Sequence, residues 1–239
     1  GLDDPDSVAS QLLFRTSYQR DNRRHPVIGH RELFDAISYE EMKTYHAAKY
    51  RPHNSFLVLS GGFDPGEARS IVERELGKGL RPPASFPIVC PTEPLQMGQR
   101  RARKRFAIPN THLSLTWQIP GLTHEDAPTL DLLSIILGGG RASPLYRVIR
   151  EEKSLVHSIG AYSWMPADGP GIFNAYAEVE PENTATVEEE IKTQIALLSN
   201  SDLTLPMARA FRQVASQQFK TLTTASGRAS DLASNWHSA

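Results

Sequence analysis

The chain has a single cysteine, Cys90, among its 239 residues. One thiol excludes an internal disulfide framework and a thiolate metal cluster, and it leaves the compartment open. Apolar stretches of the length a membrane span requires are also missing. The start is not a signal peptide, because Leu2 is followed at once by Asp3, Asp4 and Asp6. Charge excess is absent too: 26 Lys and Arg face 27 Asp and Glu, a net charge of -1. That balance removes the electrostatic case for nucleic acid or an anionic membrane as a partner. One local basic run, Arg100, Arg101, Arg103, Lys104 and Arg105, has no aromatic platform and reads as a solvated face.

Several catalytic signatures are missing as well. Metallohydrolases commonly set two histidines three or four residues apart on one helix face, so that both rings reach one ion. The eight histidines here, at 25, 30, 46, 53, 112, 124, 157 and 237, contain no such pair. His124-Glu125-Asp126 reads as a helix start, where acids are favoured by the helix dipole, rather than as a ligand cluster. There is no GxSxG nucleophile turn, and Gly138-Gly139-Gly140-Arg141 does not make a phosphate loop.

What is present is an ordinary globular composition, 39% hydrophobic and 22% charged, which predicts a soluble, folded chain. The ends read as cut: the chain opens Gly1-Leu2 without methionine and stops inside a helical-looking run. A helix is expected over Asp6 to Tyr18. A second, opened by a capping box of Ser38 and Glu41, is expected to run to about Lys49 with Met42, Tyr45, His46 and Tyr50 as its stripe. Asn54 to Gly62 reads as a buried strand. Asp64, Pro65 and Glu67 open the next helix, and Gly77 suits its end. Prolines crowd the stretch from Leu80 to Pro94, which predicts a linker and a domain boundary.

Beyond that boundary, Arg103 to Ile108 and Leu113 to Ile119 alternate like strands. Thr123 with Asp126 predicts a helix carrying Leu130, Leu133 and Leu137, stopped by Gly138-Gly139-Gly140. Ser143-Pro144 restarts a helix through about Glu152. Leu155 to Met165 and Ile172 to Val179 read as a hairpin, followed by helices over Ala185 to Leu198 and from Thr204 past Phe219. The partition is thus 1–79, the end of a first α/β domain; 80–99, a linker; and 100–239, a second. The fold class expected is α+β, two-layer domains with a mainly antiparallel sheet and helices packed on it.

The run from Leu137 to Ser163 carries the most specific pattern: the three glycines, Ser143-Pro144-Leu145-Tyr146, then Arg150-Glu151-Glu152-Lys153-Ser154-Leu155-Val156-His157-Ser158. It resembles the second domain of the pitrilysin, insulysin and mitochondrial processing peptidase superfamily. Members show a glycine-rich stop, Ser-x-Leu-(Phe/Tyr), then Arg-Glu-(Lys/Glu)-x-Gly-Leu-(Ala/Val)-Tyr-Ser. Upstream, His25-Pro26-Val27-Ile28-Gly29, Tyr50-Arg51-Pro52-His53-Asn54 and Ser60-Gly61-Gly62-Phe63-Asp64 occur in the family's order, so the resemblance spans nearly the whole chain.

The resemblance implies a zinc metalloendopeptidase whose ligands, an HxxEH helix and a later glutamate, lie outside this chain; Glu32, Glu40 and Glu41 are helix-start acids. It also implies half of a peptidase clamshell, completed by a second half in tandem or on another chain, and a peptide or protein substrate. An arginine and a tyrosine seven residues apart hold the substrate carbonyl in active relatives. Arg150 fits the arginine. The tyrosine position is His157, which keeps a donor but shortens its reach. The competing expectations are that Arg150 pairs with a helix acid and His157 lies on a strand surface, and that the chain is a non-catalytic scaffold or partner half.

Overall fold

The computed structural model describes residues 4–76 and 91–238. The helix end expected at Gly77 and most of the proline-rich linker lie outside them. In chain order the helices are α1 (Pro5–Ser17), α2 (Arg31–Ala36), α3 (Tyr39–Lys49) and α4 (Pro65–Leu76), followed by strand β1 (Thr111–Ile119) and α5 (Ala127–Gly138). A π-helix, Leu145–Glu152, precedes β2 (Val156–Trp164) and β3 (Gly171–Val179); α6 (Thr184–Leu198), α7 (Thr204–Leu222) and α8 (Ala225–Ser238) complete the chain. The fold is α+β, as expected. Contacts divide it into two units, Gly1–His25 with Cys90–Ser216, and Pro26–Val89 with Gln217–Ala239.

The first unit is built on an antiparallel sheet of order β1-β3-β2. Strand alternation sorts its side chains onto two faces. On one face Phe173, Ala175, Ala177 and Val179 of β3 meet Ile159 of β2, Leu137 of α5, Leu145 and Ile149 of the π-helix, and Val187 and Ile191 of α6 in one buried core. Burying aliphatic side chains of this size stabilises by about 1.5–3 kcal/mol each, which is what fixes the helices on the sheet. α5 can lie so close to β2 because its last residue is glycine: a Cβ on Gly138 would sit 2.2 Å from the Ala161 nitrogen.

α1 covers part of the opposite face. Its start is set by Asp4, whose carboxylate accepts the Ser7 N–H at 2.9 Å, with Pro5 in the first turn. Phe14 meets Trp164 edge-on, with centroids 5.2 Å apart. The buried Tyr18 donates its hydroxyl to the Pro170 carbonyl at 2.9 Å, and burial pushes its phenol well above the usual tyrosine range. Behind α1, the Glu93 side chain is wholly buried. Its Oε1 accepts the Gln19 N–H at 2.7 Å, and its Oε2 accepts those of Arg20 at 2.7 Å and Asp21 at 3.0 Å. α1 therefore falls with the sheet rather than with the residues that follow it in the 1–79 segment.

In the second unit, Ser38 accepts the Glu41 N–H at 3.2 Å while the Glu41 carboxylate accepts the Ser38 N–H at 2.8 Å, the capping box foreseen for α3. Asp64 opens α4 by accepting the Glu67 N–H at 2.8 Å. The apolar side chains of this unit stay outside: Met42 is 50% exposed, Tyr45 61% and Phe34 59%.

Three local expectations are corrected. Residues 54–62 do not form a buried strand; no strand among the described residues pairs with them, and Phe56, Leu57 and Leu59 remain about half exposed. Arg103 to Ile108 is not a strand either, because the chain bends over 107–110 before β1 begins and leaves the segment unpaired. The α5 start uses neither Thr123 nor the Asp126 side chain. Instead the His124 ring accepts the Asp126 N–H at Nδ1, 3.1 Å away.

Candidate functional site

Arg150 lies in the last turn of the π-helix, an element in which backbone bonds reach five residues back, as from the Lys153 N–H to the Val148 carbonyl at 3.0 Å. Such widened turns are rare and concentrate at functional sites. Leu145 and Ile149 on its inner side are fully buried, so the helix is anchored while its other side carries the polar groups. Arg150 is half-buried. Its Nη1 donates to the Tyr146 hydroxyl at 3.0 Å, and its guanidinium lies 4.8 Å from the Tyr146 ring centroid. The planar group is thus oriented by a bond and a ring at once, and it keeps further N–H donors beyond that bond.

The turn after the π-helix is also constrained. Lys153 reaches α6 and donates to Glu190 at 2.6 Å, holding that carboxyl below the usual carboxylate range. Ser154 has φ 50°, in the left-handed region that favours glycine, and the family pattern carries glycine at this place.

His157 sits on a β-bulge. Val156 is opposite Val179 and Ser158 is opposite Glu178, so His157 is the one extra residue of β2 against β3. A bulge breaks the ladder locally and re-aims its side chain. Here His157 turns outward, half exposed, with Nε2 2.9 Å from Glu180 Oε1 just past the end of β3. An ion pair at this exposure is worth about 0–1 kcal/mol. The structure therefore holds each candidate with its own partner: Arg150 with Tyr146 rather than with a helix acid, and His157 with Glu180.

Tyr146 could have been found from sequence, since it lies four residues before Arg150 within the predicted helix. Glu180 could not, because its meeting with His157 depends on the hairpin register and on the bulge. The basic run is only partly a solvated face. Arg101 pairs with Glu188 at 2.5 Å, whereas Arg100 is four-fifths buried and donates to the Thr16 and Ser17 carbonyls that end α1.

Among the described residues no three His, Cys, Asp or Glu side chains converge in a way that could hold a metal ion. These residues do not fit a zinc site. No helix among them is long and apolar enough to cross a membrane.

An α+β unit with a glycine-stopped helix, an irregular helix and a bulged hairpin is the frame in which Arg150 and His157 stand. Residues 36–205 match the family model described as the peptidase M16 inactive domain, and the chain belongs to that family. An uncharacterized zinc protease of Mycobacterium leprae is 26% identical over 203 residues, covering 84% of this chain and 45% of that protein. The crystal structure of a protease from Helicobacter pylori superposes with a TM-score of 0.86 at 20% identity, over 99% of this chain and 58% of that one. A chain in the structure of complex III2 from Candida albicans with Inz-5 bound gives 0.77 at 20% identity, over 98% and 57%. The chain spans about half the length of the curated relatives it matches.

Proposed function

We propose that this chain is the substrate-binding and chamber-forming part of a zinc-dependent metalloendopeptidase whose metal ligands lie outside it. The observation that carries the reading is the setting of Arg150, a guanidinium oriented by Tyr146 on an irregular helix that the core holds rigidly, in a chain of the M16 family. A fixed cationic donor of this kind suits a peptide carbonyl that gains negative charge during hydrolysis. His157 would be the second donor, released from Glu180 when substrate arrives. The second clamshell half, in tandem or on another chain, would complete the chamber.

A second reading, a non-catalytic partner half, draws on His157 itself: it replaces the tyrosine of the family pattern and is already paired with Glu180. The parent protein separates the two. Arg150→Ala and His157→Tyr variants are assayed on a fluorogenic peptide, with zinc content measured beside kcat. The first reading expects Arg150→Ala to lower kcat by about 10²–10³ at unchanged zinc content, the scale of losing one donor to a developing oxyanion. An unchanged kcat in Arg150→Ala would rule it out.

A further inference from the structure

A cleft of about 430 Å³ opens in the first unit between the last turn of α1, the loop after it and the segment 100–102. That volume is within the range of small-ligand sites, roughly 300–1,000 Å³. Its polar lining is Arg15, Thr16, Gln19, Arg24, Arg100 and Arg101. Four arginines thus line one opening in a chain whose net charge is -1, and two of them, Arg100 and Arg101, already stand by a carboxylate.

The carboxylates near them are few and already engaged. Glu93 is wholly buried, holds three backbone N–H groups and stands 3.9 Å from Arg100. Glu188 is shared between Arg101 and Lys192. Arg24 donates to the Gln19 carbonyl and Arg100 to the Thr16 and Ser17 carbonyls. Those acceptors are neutral and position the two guanidiniums; the Arg100 charge is met in part by Glu93, whereas the Gln19 carbonyl leaves that of Arg24 uncancelled. Neither Arg15 nor Arg24 has a carboxylate partner among the described residues.

We infer that this cleft binds an oxyanion, phosphate or carboxylate, seated between Arg15 and Arg24 with Arg100 behind it. The arginine fork matches both groups with two parallel N–H bonds, and Arg24 and Arg100, already fixed by backbone carbonyls, lose less freedom on binding than mobile lysines would. The cleft has neither Arg150 nor His157 in its lining.

Calorimetric titration of the chain in moderate salt tests it with two probes: inorganic pyrophosphate, and a tetra-aspartate peptide amide with tetra-asparagine as its control. Saturable binding of at least one anionic probe below about 1 mM is expected. Pyrophosphate alone would identify a small oxyanion, and the aspartate peptide alone a polypeptide carboxylate. Arg15→Gln and Arg24→Gln should each weaken the bound probe by about tenfold or more, as expected for loss of a charge-assisted bond. Arg105→Gln, the same charge change outside the lining, should alter it by less than roughly twofold in moderate salt. Arg15 makes no hydrogen bond that the fold uses, so its variant remains informative if Arg24→Gln unfolds. Absence of saturable binding to both probes, or binding indifferent to Arg15→Gln, would overturn the inference.

Discussion

Replacing Glu93 by glutamine should destabilise the first unit by about 3 kcal/mol at pH 7. The side chain is wholly buried and divides three backbone N–H groups between its two oxygens, with Arg100 beyond. Glutamine offers one oxygen and one amide. With the oxygen kept beneath Arg20 and Asp21, the new amide confronts the Gln19 N–H and leaves a donor unmet, a cost of about 1–3 kcal/mol. The two surviving bonds lose their charge assistance, at roughly 1 kcal/mol each. Urea unfolding should show a midpoint lowered by roughly 1–2 M at unchanged slope. Hydrogen exchange should show faster exchange of the amides of residues 19, 20 and 21.

The same carboxylate sets a pH dependence. Burial would raise its pKa, but the backbone N–H groups of Arg20, Asp21 and Gln19, aided by Arg100, outweigh burial and hold it below the ordinary glutamate range. A depressed native pKa contributes stability that is complete above the unfolded value of about 4.3 and is lost as pH falls through the native one. The gap between the native chain and Glu93→Gln should therefore be constant near neutrality and shrink below about pH 4. Equal stabilities at pH 7, or a gap as wide at pH 3 as at pH 7, would refute the argument.

Ser154→Gly should raise stability by about 1 kcal/mol, read as a higher midpoint in the same urea experiment, because φ 50° costs serine what it does not cost glycine. Gly138→Ala should destabilise by roughly 1–3 kcal/mol, since the added methyl meets the backbone of β2 at Ala161 and α5 must retreat. Glu180→Gln should change stability by no more than about 1 kcal/mol, the scale of a half-exposed ion pair, as a thermal unfolding series would reveal. Elemental analysis of the chain should find far less than one zinc per molecule, and a fluorogenic peptide should remain uncut; one tightly held zinc per chain would contradict both expectations.

Features written in a few neighbouring residues were legible in the sequence. The Ser38 and Glu41 capping box, the glycine stop at Gly138 and the hairpin of β2 and β3 all form as read, because turn chemistry and alternation over short spans determine them. Residues 54–62 were misread because an apolar run reports a wish for burial, whereas a strand also needs a partner to satisfy its backbone. The Glu93 anchor was invisible for a different reason: it joins groups more than seventy positions apart, and a lone glutamate among prolines looks like linker. For the candidate site, Arg150 and His157 were singled out by resemblance alone, and their immediate partners were legible only in part. An arginine and a tyrosine four apart can be guessed to meet, but a single extra strand residue has no local signature.

That extra residue has a counterpart in the widened turns of the helix before it. Each is a one-position surplus set against a regular neighbour, and either could be lost while the core residues Leu145, Ile149 and Ile159 kept their places against the sheet. Such a deletion would swing Arg150 or His157 through a large angle and leave the fold standing. The aim of these two side chains is therefore set apart from the scaffold, and an indel too small to register as a change of architecture would be enough to redirect it.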